Sequence, residues 1–224
     1  MLSWLIFILT FAVFFATHAI PTRPAIKQRI TLTIGPADFT CCYSLLSLAM
    51  LGLLIWAAGR AAFIHLWSPA VWHKYLALGG MFAVCMLLVF SIARPNPFSF
   101  GGARNDDYDP RRPGLVRWIR HPLLIALAIW SGLHIPPNGD LAHVLLFAVF
   151  LGFALLGQHI VDRRKRRQMG QQEWRLLLSR TKSAPVWQTP QSLPAIGIRV
   201  LLGVLIWGAL LAAHPIVIGV SPLP

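Results

Sequence analysis

Apolar and polar positions along the chain alternate in long blocks rather than residue by residue. Six stretches of 16 to 21 residues contain no Asp, Glu, Lys or Arg: 2–20, 39–59, 75–93, 121–136, 141–158 and 200–220. Runs of that length match the roughly 20 residues that an α-helix needs to cross about 30 Å of hydrocarbon. The fourth is the short one, and Leu115, Val116, Trp118 and Ile119 could lengthen it, or it could enter only partway. Lipid offers a free backbone amide no partner, so crossings are helices unless a barrel closes, and a barrel requires an alternation that is absent here. The pattern predicts an all-α, polytopic integral membrane helical bundle of about six transmembrane helices. It forms a single domain over 1–224.

Composition agrees. The chain has 224 residues, 56% hydrophobic and 12% charged, with a formal net charge of +13. Its mean hydropathy is +0.63. An excess of that size on one surface would suggest nucleic acid, but the basic residues fall in blocks between uncharged stretches, so no nucleic-acid partner is expected. Of the 20 Lys and Arg, 18 lie in the connections after the first, third and fifth stretches, and only Arg60 and Lys74 lie elsewhere. By the positive-inside rule those three connections are cytoplasmic and both termini are non-cytoplasmic. Residues 94–120 and 159–199 are thereby expected as basic cytoplasmic loops. The first stretch lacks the basic start of a signal peptide and is expected to stay as a helix. Cys41, Cys42 and Cys85 form no metal or redox spacing, and no internal repeat is evident.

Candidate chemistry is concentrated in the histidines. The order of the spans places His18, His121 and His159 at cytoplasmic ends, with Asp162 close after the last. His65, His73, His134, His143 and His214 fall near the opposite face. An interfacial imidazole needs no function, which suffices for His65, His73 and His214. His18, His121, His134 and His159 lie nearer apolar surroundings, where an ionisable group usually faces the bundle interior and where neutral imidazole can ligate haem iron. The basic segment "DRRKRRQMGQQEWRLLLSRTK" reads as an orientation signal that also binds anionic lipid head groups, or as a site for a propionate or phosphate. "RPNPFSFGGARNDDYDPRRPG" reads as a loop long enough to form a lid.

"FATHAIPTRP", "VRWIRHPLLIALAIWSGLHIPPNGDLAHVLLF" and "GQHIVDRRKRRQMGQQEW" resemble the NnrU family of bacterial membrane proteins over about residues 1–182. The sixth stretch matches only in being apolar. That resemblance implies a multi-pass protein of the bacterial inner (cytoplasmic) membrane linked to nitrite and nitric oxide reduction in denitrification. The plastid zeta-carotene isomerase is similar to the same family. It implies haem b as cofactor, with His18 and His134 as metal ligands. The isomerase's alternative cysteine ligand matches Ser131 here, so carotenoid isomerisation is not carried over. The predicted topology conflicts with that pair. Axial nitrogens stand some 4 Å apart across iron, yet the 13 residues between His121 and His134 span roughly 20 Å of helix. Either the fourth stretch dips into the membrane without crossing, or His18 pairs with His121 or His159 instead.

The Arg-His-Pro motif at 120–122 is also similar to membrane methyltransferases, which makes Arg120, His121 and Asp162 cofactor-binding candidates beside His18, His134 and His159. Leu124 and Ala126 stand where those enzymes have Tyr and Gly, and Asp162 is followed by Arg163 rather than a second carboxylate. A third class is a non-enzymatic accessory or assembly factor for a respiratory complex. No nucleophile with an adjacent base is apparent, so no hydrolase is expected, and the sequence alone assigns no enzyme activity.

Overall fold

The structure is a computed structural model that describes residues 1–186 and 192–224; residues 187–191 of the second basic connection lie outside the described residues. Among the described residues eight α-helices follow in order: α1 (Leu2–Ala19), α2 (Pro24–Ile34), α3 (Pro36–Arg60), α4 (Val71–Ser91), α5 (Pro122–His134), α6 (Leu141–Met169), α7 (Gln171–Ser183) and α8 (Leu193–Val217). Proline stands in the first turn of α2, α3, α5 and α8, where its fixed φ suits a helix and its missing N–H leaves no bond unmade. Among the described residues, β pairing is limited to one antiparallel bridge between His65 and Asp140. The protein is an all-α helical membrane bundle.

α1, α3, α4, α6 and α8 are each long and apolar enough to cross a membrane. The fourth expected crossing is shorter than read: α5 has 13 residues, a rise of about 20 Å against about 30 Å of hydrocarbon. The preceding residues do not extend it. Leu115 and Val116 belong to a 3₁₀ turn, Gly114–Arg117, and Val116 is buried in a small core.

The second basic connection is mostly helical rather than a loop. α6 runs 11 residues past Gln158 to Met169, because Arg, Lys, Gln and Met all favour helix. It stops at Gly170, whose φ of 90° is a left-handed conformation that costs other residues strain. α7 then starts at once and exposes most of its charges.

The chain packs as two compact units, 1–68 with 139–146, and 69–138 with 147–224. In the first, α1 and α3 run antiparallel: the Ala62 amide donates to Ser3 Oγ (3.1 Å) at one end, and the Tyr43 hydroxyl donates to the His18 carbonyl (3.2 Å) at the other. α2 lies beside α3, with Lys27 Nζ 5.5 Å from the Phe39 ring. In the second unit α4 packs against α5 and α8. Trp207 of α8 donates to the Leu78 carbonyl (3.2 Å), and Arg199 donates to the Val89 carbonyl one helical stretch away, so α4 and α8 are antiparallel. α5 is antiparallel to α6, with His121 beside Asp162 and Trp130 beside Phe147 and Phe150. Every Lys and Arg of this unit except Lys74 therefore gathers at one end, where α4 and α6 leave their apolar stretches and α5 and α8 begin.

Candidate functional site

The basic end of the second unit is organised by the stretch between α4 and α5. Pro95 and Pro97 flank Asn96 and deny this segment a helix. The Asn96 side chain takes over the local bonding: Oδ1 accepts from the Phe98 amide (3.1 Å), and Nδ2 donates to the Arg120 carbonyl (2.9 Å). The turn tucks Phe98, fully buried, against Val116 and Trp174 of α7. It also brings Ser99 to the imidazole that precedes α5.

That imidazole, His121, is 2% exposed and has a partner at each ring nitrogen. Nε2 lies 2.9 Å from Asp162 Oδ1, and Nδ1 lies 3.1 Å from Ser99 Oγ. An ionised carboxylate can only accept, so the Nε2 proton is donated to Asp162, and Nδ1 is left to accept from the Ser99 hydroxyl. Asp162 is shared further: Arg120 Nη2 donates to Oδ2 at 2.8 Å, and Arg166 Nη2 lies 3.6 Å from the same oxygen, one turn on along α6. One buried carboxylate thus meets an imidazole and two guanidiniums, which offsets the cost of removing its charge from water. Sequence reasoning named Arg120, His121 and Asp162, and held Arg166 only as part of the basic segment, but missed Asn96 and Ser99, which carry no motif.

Arg166 connects this cluster to the surface core. Its guanidinium lies 4.3 Å from the Trp174 ring, and Trp174 meets Phe98 edge-on at 6.4 Å. Tyr108 packs edge-on to Phe98 and shares a 2.9 Å hydrogen bond with Thr181. Burial pushes the Tyr108 phenol above its ordinary value, more than its bond to Thr181 lowers it. Arg117 donates to the carbonyls of Lys182 and Ala184 at the end of α7.

The remaining candidates stand apart from this cluster. His159 is exposed, one turn before Asp162 on α6. His134, at the far end of α5, points Nδ1 at the Trp130 carbonyl (2.7 Å), and its ring lies 5.0 Å from that of Phe147. His18, in the first unit, repeats the arrangement on α1: Nδ1 is 2.9 Å from the Phe14 carbonyl, and the ring stacks on Phe14 at 3.9 Å. A carbonyl can only accept, so the proton sits on Nδ1 in both, and Nε2 carries the lone pair. Among the described residues neither Nε2 has a hydrogen-bond partner, and no group of three or more His, Cys, Asp or Glu is placed to hold a metal ion. Ser131 is fully buried and donates to the Leu127 carbonyl (2.7 Å).

A family model described as NnrU protein matches residues 6–222. The chain belongs to the NnrU family. The match runs through α8, beyond the 182 residues over which the likeness was read from motifs. No curated protein and no solved structure matches.

In this NnrU-family chain the cluster at the basic end places a hydroxyl, an imidazole and a carboxylate in a row, an arrangement not expected from the sequence. Ser99 is nonetheless 2% exposed and lines neither of two cavities found at this end. The smaller, about 170 Å³, reaches Arg120 and His121 between Trp118, Ile125 and Gln158. The larger, about 620 Å³, lies under the 94–115 stretch and the start of α8. Ser99, lining neither, spends its hydroxyl on His121 Nδ1. The row ties α6 and the start of α5 to the connection between α4 and α5.

Proposed function

We propose that this NnrU-family protein sits in the bacterial inner membrane, serves nitrite and nitric oxide reduction, and holds haem b through histidine. One observation supports the cofactor: the imidazoles of His18 and His134 each fix Nδ1–H on the carbonyl four residues back. That bond sets the tautomer, restrains the ring and makes Nε2 a better donor to a metal, as hydrogen bonds to metal-ligating histidines do generally. The donor set fits haem iron, which takes neutral imidazole. When bound, haem supplies an iron centre able to exchange an electron or take a small nitrogen oxide. The protein's own part is to present Nε2, and around His134 to wall off water with Trp130 and Phe147. The exposed Arg163, Arg164 and Arg167 on the α6 extension supply charge for anionic head groups.

The test is haem content. The full-length protein, expressed with haem supply and purified in detergent, is expected to contain haem b by pyridine haemochrome assay, with less after His18→Ala or His134→Ala. Colourless, iron-free protein overturns the cofactor. If that colourless protein co-purifies with a nitrite or nitric oxide reductase, the accessory reading replaces it. Saturable S-adenosylmethionine binding that is lost on changing Asp162 would favour the methyltransferase-like reading.

A further inference from the structure

We propose that the 620 Å³ cavity at the basic end of the second unit binds a phosphorylated amphiphile, its phosphate on Arg94, Arg104 and Arg112 and its tail along Phe90, Ile119 and Ile196. The lining carries the chemistry. Four guanidiniums border the cavity, those three and Arg199, against two carboxylates, Asp107 and Asp109. Arg199 is anchored on the Val89 carbonyl. Asp109 Oδ1 accepts from the Arg111 amide at 2.8 Å. The ion pairs among the described residues join Asp162 and Asp140 to their neighbours, and none engages Arg94, Arg104 or Arg112. Arg94 lies close enough to Arg199 for their charges to repel. A doubly charged anion between such groups replaces repulsion with attraction. A carboxylate is satisfied by one forked guanidinium, whereas a phosphate offers oxygens to several.

The site is also built rather than incidental. Ala93 N donates to the Gly101 carbonyl and Ala103 N to the Arg94 carbonyl, both at 3.2 Å, while Asn96 N donates to Asn105 Oδ1 at 2.8 Å. These bonds draw the segment into a closed lasso. Gly102 lies where a Cβ would stand 2.9 Å from the Arg94 carbonyl oxygen and 3.1 Å from Asn96 N, so no side chain fits without moving backbone. Ala93 and Arg104 both hold left-handed φ, 58° and 53°, which is unfavourable for residues with a Cβ and persists only when the surroundings enforce it. The strained Arg104 is one of the three guanidiniums that face the cavity.

Position supplies the tail. Phe90 belongs to the last turn of α4, Ile196 to the first of α8, and Ile119 to the approach to α5. These are the ends of apolar helices, where hydrocarbon gives way to head groups. A ligand with a charged head and an apolar tail meets both surfaces at once.

The experiment is calorimetric titration of full-length protein in a nonionic detergent with dioctanoyl phosphatidic acid, dioctanoylglycerol and inorganic phosphate. Phosphatidic acid is expected to bind at least about tenfold more tightly than either of the others. Arg104→Gln and Arg112→Gln should each weaken it about tenfold, the scale of one charge-assisted contact. Arg180→Gln, exposed on α7 and outside the cavity's lining, should leave it unchanged. Ile196→Ser should weaken phosphatidic acid but not inorganic phosphate, which keeps the proposal testable if an arginine variant fails to fold. Inorganic phosphate binding equally well would make this a free-anion site and overturn the amphiphile. Equal binding of dioctanoylglycerol, equal loss in Arg180→Gln, or no binding at all would each overturn the site.

Discussion

The two ends of α5 hold the same side chain in opposite circumstances. At the N-terminal end, both nitrogens of His121 are bonded, one to a carboxylate and one to a hydroxyl, and the ring is sealed from solvent. At the C-terminal end, the His134 ring makes one hydrogen bond among the described residues, from Nδ1 to the Trp130 carbonyl of its own helix, and Nε2 has no partner there. An imidazole with both positions filled can hold helices together but cannot ligate a metal without breaking a bond. One with a single position filled keeps a free lone pair, which under the proposed function would go to haem iron. Burial alone would rank His121 first, whereas the haem proposal rests on the unpartnered nitrogen of His134.

Removing the carboxylate from the closed end should have the largest effect. Asp162→Ala leaves a buried imidazole without its acceptor and two guanidiniums without their counter-charge, a loss of about 3–5 kcal/mol. Thermal unfolding in detergent should fall by roughly 10 °C, at a few degrees per kcal/mol for a chain of this size. Asp162→Asn keeps an acceptor for His121 Nε2 and should recover part of the loss. An unchanged midpoint in Asp162→Ala would show that the cluster does not lock α5 to α6.

At the open end the ranking of effects differs. His134→Ala should cost only about 1–2 kcal/mol, through ring contacts with Trp130 and Phe147 and one local hydrogen bond, while lowering haem content under the proposed function. Ser99→Ala is a smaller change, about 1 kcal/mol for one hydrogen bond. It should alter no activity that the purified protein displays, and a turnover lost in that variant with its fold intact would restore Ser99 as a nucleophile. The smallest effect concerns pH. Tyr108 has its phenol pKa raised in the folded state, so the neutral form is favoured there and its contribution is full below about pH 10, then lost as pH rises through the folded value. Tyr108→Phe should therefore unfold with a shallower pH dependence above 10 than the parent protein.

Apolar length made the long helices legible. α1, α3, α4, α6 and α8 each contain an uncharged stretch that lipid alone would select. Their ends were displaced because helix propensity continues where apolarity stops, as in the Arg- and Gln-rich extension of α6. α2 passed unnoticed between Pro24 and Gly35, too short and too polar to stand out. The site was half legible. The motif marked Arg120 and His121, and charge beside a span marked Asp162, but their convergence depends on α5 and α6 running antiparallel. Asn96 and Ser99 lie in a Pro- and Gly-rich stretch whose composition announces a loop and conceals that the loop folds back under α5.

The absorption spectrum of the full-length protein and three variants tests the contrast between the two imidazoles most directly. A Soret band is expected in the parent protein, weakened or lost in His134→Ala and His18→Ala, and kept in whatever fraction of His121→Asn folds. A band that survives both His18→Ala and His134→Ala, or that vanishes in folded His121→Asn, would contradict it.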